Sequence, residues 1–378
     1  MTDEGAGYFL YHAIGQYPGK AAGLASAMTE FSKAWGAPND RQWDYLFEKR
    51  TRFLDLWRAI IGASAGTTTT CESVTQGLHM LMTSLPKSLL RGRRVLVAAD
   101  CFPSNHFLLT GLQERLGFTL DTVALRQGAS WVTDEDMIAQ WDRDVAVALV
   151  TWVSSTTSHR SNLEALANHG KAMGSLVGVD ITQAAGLLPF SISSPSVDFV
   201  VSTSLKWMCG TPGAGVLYVE PDLILECQPE VRGWFSQDNP FSWDLDRFGF
   251  APDIRRFDSG TPGMLAAAAS VPALEWHSQQ DMNAMVGHNR RLGERILSTA
   301  DELGLEVITP RPETERGGSI MLRLPDKLPA PDVLLSLKRH GVIADARGQA
   351  LRLSPGVMTT AEGTEQLAQG LRVAVACL

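Results

Sequence analysis

Two charges stand where apolar runs end. Asp180 closes SLVGVD and Lys206 follows DFVVSTS, which sets a carboxylate and an amine at strand ends, where ligands of open parallel sheets bind. A lysine amine there can bond covalently to a carbonyl carbon and, once released, act as a base. A carboxylate can hold a protonated nitrogen. After Lys206 comes WMCGTPGAGVLYVE, a glycine-rich turn into another strand, which lets backbone approach a bulky group held at the lysine. Gly210–Gly215 is no dinucleotide fingerprint, because it opens a strand rather than a helix.

The elements that must position these charges are legible as short β-branched runs alternating with helical patterns. RRVLVAAD (93–100), FTLDTVAL (118–125), VAVALVTWV (145–153), SLVGVDI (175–181), DFVVST (198–203) and AGVLYVE (214–220) are spaced by stretches such as Leu163 to Met173. Continuous apolar strands of this kind predict a largely parallel sheet buried on both faces, an α/β core. From Pro262 onward one long Ala- and Arg-rich helical stretch (Met264 to Leu303) is expected, then EVITP, SIMLRL, a helix at DVLLSLKRHG, VIADAR, LRLSP and a closing helix, together a smaller α+β unit. Between them, Gly233 to Pro262 carries Trp234, Phe235, Phe241, Trp243, Phe248 and Phe250, so it is expected to pack against something rather than swing free. The division expected is an amino-terminal arm over 1–30, a large domain over 31–262 and a small domain over 263–378.

GVDITQ (178–183), DFVVSTSLKWMCGTPGAG (198–215) and SGTP (259–262) in combination resemble class V, the kynureninase and cysteine-desulfurase branch of pyridoxal-phosphate (PLP) enzymes with the aspartate-aminotransferase fold, fold type I. DCFPSNHF (100–107), GWFSQDNPFSWD (233–244) and GVIADARGQALRLSPG (341–356) are similar to kynureninase segments in order and spacing. The resemblance implies a homodimer with shared active sites. It makes Lys206 the residue that holds PLP as a Schiff base and Asp180 the partner of the ring nitrogen, since the ring withdraws electrons only while that nitrogen is charged. It puts Gln183 at the phenolic oxygen, where kynureninases have histidine, and Phe102 on the pyridine face with Asn105 beside it, where kynureninase has aspartate. The phosphate would meet Val74 and Thr75 at the start of a helix from Ser73 to Leu81, where free N–H groups and the dipole favour an anion. Ser204 would add a hydroxyl, and Trp234 and Thr261 would serve the neighbouring subunit. Arg352, with its bidentate fork, falls at the substrate-carboxylate position, and His12 in YFLYHAIG on an amino-terminal loop near the substrate.

Departures from the family narrow the chemistry. Leu205 replaces the tyrosine that kynureninases place before the lysine, and WVSSTTSHR (152–160) lacks Tyr-x-Thr-Gly, although Ser154, Ser155 or Thr157 can still reach the cofactor. No cysteine lies between Cys227 and Cys377, where a desulfurase needs its nucleophile. The expectation is a kynureninase-like enzyme that forms an external aldimine with an α-amino acid and cleaves a β C–S or C–C bond. Aminotransferase, epimerase or decarboxylation-coupled deaminase chemistry is the alternative on the same scaffold, and a non-catalytic PLP-fold binding protein the alternative from another class.

Composition excludes other classes. A net charge of −8 with signs interleaved argues against nucleic acid or an anionic membrane as partner. The 44% hydrophobic and 20% charged content is that of a globular chain long enough for two domains. No run approaches a membrane span, and the acidic start MTDE is unlike a secretory signal, so a cytoplasmic protein is expected. The five cysteines, odd in number and free of CxxC spacing, imply neither disulfides nor a metal site.

Overall fold

The computed structural model describes residues 5–376. In chain order the elements are α1 (Lys20–Trp35), α2 (Gln42–Ile61), β1 (Thr68–Cys71), α3 (Val74–Met82), α4 (Lys87–Leu90), β2 (Arg94–Ala98), α5 (Pro103–Leu116), β3 (Thr119–Val123), α6 (Asp134–Gln140), β4 (Val145–Thr151), α7 (Leu163–Met173), β5 (Leu176–Asp180), β6 (Phe199–Thr203), β7 (Gly215–Val219) and α8 (Pro221–Glu226). Then come α9 (Leu265–Ser278), α10 (Met282–Glu302), β8 (Glu306–Val307), β9 (Ile320–Arg323), α11 (Ala330–Arg339), β10 (Asp345–Arg347), β11 (Ala350–Leu353) and α12 (Ala361–Ala376).

Seven strands form one sheet in the order β1-β7-β6-β5-β4-β2-β3. Strands β2 to β6 run parallel, and β7 is antiparallel to both β6 and β1. The inner parallel strands β4, β5 and β6 are almost wholly buried because helices cover both faces, which is why they read as unbroken apolar runs, whereas the edge strand β3 (TLDTV) buries fully only Val123. At Gly178 a Cβ would lie 1.8 Å from the ring of Phe199, so glycine is what lets that side chain pack across β5. A second sheet, β10-β11-β9-β8, has its own core from Phe9, Ile320, Leu322, Leu351, Leu353 and Leu371.

The expected single helix from Met264 to Leu303 is two. The first ends at Ser278 with Gln279 as its C-cap, and Asp281 caps the second, its carboxylate accepting the N–H groups of Asn283 and Ala284. Helix α9 carries Ala267, Val271, Ala273 and Leu274 into the core of the seven-stranded sheet. The segment expected to be packed is only partly so in the single chain: Phe250 lies beneath Arg232, while Phe241, Trp243 and Leu245 are exposed. Among the described residues no helix is long and apolar enough to cross a membrane. Cys71, Cys101, Cys209 and Cys227 are buried free thiols, and Cys377 lies outside the described residues.

Two buried histidines make this fold sensitive to acid. His159 stacks on Trp131 at 5.2 Å, and His277 lies in α9 edge-on to Trp276. Burial pushes both down from 6.5 to about 4. The unfolded chain therefore takes up their protons first as pH falls, so the stability they contribute is full above 6.5 and is lost between 6.5 and about 4. The loss is at most about 1.4 kcal/mol per pH unit for each histidine. Denaturant midpoints are expected to fall through that window, and less steeply in His277→Gln; a flat profile would contradict the burial argument.

Candidate active site

The carboxyl ends of β4, β5 and β6 converge, with Thr151 paired to Asp180 across the sheet. They open on a cavity of about 270 Å³ lined by Val74, Thr75, Phe102, Ser155, Asp180, Gln183 and Lys206 among others. Seven of the residues singled out in the sequence thus meet at one place. The Lys206 ammonium stands 5.1 Å from the centre of the Phe102 ring. Burial lowers the lysine pKa, with Arg352 acting in the same direction and Asp180 against it, so a larger share of the amine is neutral and nucleophilic.

Asp180 is held from two sides. One oxygen accepts the Thr182 N–H at 2.9 Å and the other the Asn105 amide at 3.1 Å. Asn105 is fully buried behind the cavity rather than in its wall. Phe102 is placed by the N-terminus of α5, where Pro103 starts the helix. Ser73 caps α3, its hydroxyl accepting from Gln76, so the first N–H groups of that helix open toward the cavity beside Val74 and Thr75.

Other expected residues lie elsewhere. Ser204 does not face the cavity: it is fully buried and its hydroxyl accepts from the Trp57 indole at 3.1 Å. Along the end of β6 side chains alternate, so Thr203 and Leu205 line the cavity and Ser204 points into the core. Trp234 packs on Phe235, and Thr261 is exposed on a separate groove that meets the cavity only at Glu72. Neither is brought to Lys206 within one chain. Gln183 lines the cavity with its amide engaged, donating to the His12 carbonyl at 3.1 Å and accepting from Trp207 at 3.3 Å. Arg352 is buried, its guanidinium forked onto Asp345 through Nε (2.8 Å) and Nη2, with Nη1 3.4 Å from the Ser155 carbonyl. His12 is buried and bonds Ser354 and Asp345.

Thr151, Thr182, Thr203 and Asp345 escaped the sequence reading. The first three are threonines at or just beyond strand ends, and strand-end polarity inside apolar runs is the signal that marks them. All three line the cavity with buried hydroxyls that have no partner among the described residues. Such groups are costly unless a polar ligand meets them. With an aromatic face, an amine, a held carboxylate and free helix N–H groups, the residues fit a phosphorylated pyridine aldehyde.

The sequence model of a family described as aminotransferase class-V matches residues 49–377. The kynureninase of Homo sapiens is 25% identical over 381 residues, covering 93% of this chain and 80% of that protein. The kynureninase of Deinococcus radiodurans is 28% identical over 264 residues, covering 68% of this chain but 62% of that protein, less than two thirds of its length. A solved structure of a C-DES mutant with glycine covalently linked to its PLP cofactor superposes with a TM-score of 0.85 at 18% identity, over 98% of this chain and 96% of that one.

Proposed function

Because the chain belongs to the aminotransferase class-V family and is a PLP-dependent enzyme of fold type I, we propose that it cleaves a β C–S bond of an α-amino acid, with Lys206 as base. When bound, PLP supplies an aldehyde for covalent attachment of an amine and a charged ring that draws electrons from the substrate's α-carbon. Asp180 holds the ring nitrogen, Phe102 packs on the ring, and Val74 and Thr75 receive the phosphate. Arg352 binds the substrate carboxylate, and Lys206 Nζ takes the α-proton.

One observation carries the choice of bond. Leu205 stands where the kynureninase pattern has tyrosine, the segment 152–160 lacks the pattern's Tyr-x-Thr-Gly, and among the described residues the ionisable groups lining the cavity are Glu72, Asp180 and Lys206. With Asp180 committed to the ring and Glu72 exposed at the rim, Lys206 is the one base set over the substrate. A thiol, with a pKa of about 8.5, leaves as thiolate without a general acid, whereas expelling a carbon fragment needs added acid–base help. C–C cleavage of a kynurenine side chain is therefore the less favoured reaction here. C-DES, a cystine C–S lyase, offers the same chemistry on the same fold.

In this reading the enzyme acts as a homodimer, each copy lending Trp234 and Thr261 to its partner's phosphate, with the exposed aromatics of 241–248 covered in the process. Incubation with cystine, S-alkyl cysteines and kynurenine is the test. Pyruvate and ammonia are expected from the sulfur substrates, with cysteine persulfide from cystine and a thiol from the S-alkyl cysteines; anthranilate from kynurenine, with no pyruvate from the others, would overturn the choice of bond.

A further inference from the structure

The segment 5–16 packs against the ends of both sheets. Tyr8 and Leu10 form isolated bridges to Ile343 and Ser354, just before β10 and just after β11, and Phe9 is fully buried in the core of the second sheet. A few residues on, Gly15 donates to the Leu205 carbonyl at 2.9 Å, and Lys20 Nζ closes on the Gly15 carbonyl at 2.6 Å. A Cβ at Gly15 would lie 1.9 Å from the Lys206 carbonyl oxygen, so the backbone passes directly over the lysine. Midway, His12 is delivered to the buried face of Arg352.

The protons of this cluster can be placed by chemistry. Asp345 accepts from Arg352, with which it forms a bidentate pair, and a carboxylate can only accept. His12 Nε2, 2.9 Å from Asp345 Oδ1, must therefore carry hydrogen. Burial lowers the His12 pKa and favours the neutral ring, so Nδ1 accepts from the Ser354 hydroxyl at 2.6 Å. Ser354 in turn accepts from Ser319, also at 2.6 Å, whose N–H is tied to the Ser158 hydroxyl. Both nitrogens of the imidazole are thus engaged within the protein, leaving neither for a ligand. Asp345 takes Nε and one side of Nη2, and the Ser155 carbonyl takes one N–H of Nη1, which leaves the second N–H of Nη1 and the other side of Nη2 for a second carboxylate.

We propose that His12 is a positioning residue for the substrate's carboxylate: by fixing Asp345 from the amino-terminal segment, it sets the guanidinium of Arg352 so that its free edge faces the amino acid. This rests on the reading of Arg352 given above and adds to it a requirement that the segment be docked. A contact between His12 and the substrate itself is replaced by action through Asp345.

The test uses the PLP-loaded protein and two probes, L-alanine and isopropylamine, which share the amine but differ in the carboxylate. Dissociation constants are read from the change in cofactor absorbance. The unaltered protein is expected to prefer L-alanine. His12→Ala should weaken L-alanine about tenfold, the scale of a lost hydrogen bond to a charged group, while leaving isopropylamine unchanged. His12→Gln, whose amide can still donate to Asp345, should recover most of the loss, and Asp345→Asn should reproduce it. Equal weakening of both probes, or no recovery in His12→Gln, means a purely structural role and overturns the proposal. A preference that Arg352→Ala removes and His12→Ala keeps overturns it while sparing Arg352. No preference at all in the unaltered protein overturns the Arg352 reading and this proposal together.

Discussion

Lys206→Ala is expected to abolish turnover, by about 10⁴-fold or more, because the positioned base and the point of covalent attachment are lost together. Among the described residues no other lysine lines the cavity, so no neighbour can substitute. Lys206→Arg should be as inactive, since a guanidinium stays protonated and cannot take a proton. Stability should move the other way. The amine is held in a buried site that lowers its pKa, and removing it relieves a desolvation cost, so the cofactor-free variant should melt no earlier than the parent. The check is paired: product formation and the visible band of the lysine-bound cofactor should both disappear, while the melting temperature of the cofactor-free protein does not fall. Residual turnover within tenfold of the parent would remove Lys206 from the mechanism.

The part of this site that was legible from the chain is the part written in continuous apolar strands. Asp180 and Lys206 stand out because a charge at the end of SLVGVD or DFVVSTS interrupts a pattern that burial on both faces makes uniform. Helix α7 matches its expected bounds, since Asn162 caps it and Gly174 ends it. β1 was not foreseen: TTTC is four residues long, has no apolar run, and exists because β7 pairs with it. Ser204 and Thr203 carry the same hydroxyl in the sequence, and only two-residue alternation along β6 puts Thr203 with Leu205 on the cavity wall and turns Ser204 away. Asp345 is invisible for a different reason. It reads as one acid in a short edge strand, and its role comes from a partner seven residues on, across a hairpin, and from His12 near the other end of the chain. The strained backbone of Ser158, at φ 61°, where a glycine would be at ease, is equally silent in the sequence.

The second large effect is expected at Asp180. Asp180→Asn keeps the volume and removes the charge, so the ring nitrogen of a bound cofactor loses the partner that keeps it protonated. Breaking a buried charge pair by removing one member costs about 3–5 kcal/mol, which translates to a fall in activity of about 10²- to 10⁴-fold. Asp180→Glu should do little better. The carboxylate is fixed between Thr182 N–H and the fully buried Asn105 amide, and one more methylene has no room without displacing one of them. Asn105→Ala offers a graded control, since it removes one donor to Asp180 and leaves the charge, so its cost should be nearer the about 1.5–3 kcal/mol of a single bond to a charged group. Titrating cofactor into the cofactor-free proteins separates these cases. Affinity should fall in the order parent, Asn105→Ala, Asp180→Asn, and the spectrum of the bound cofactor should become dependent on pH only where the carboxylate is gone. If Asp180→Asn binds and turns over as the parent does, the ring nitrogen is held by some other group, and the orientation of the cofactor in this cavity must be reversed.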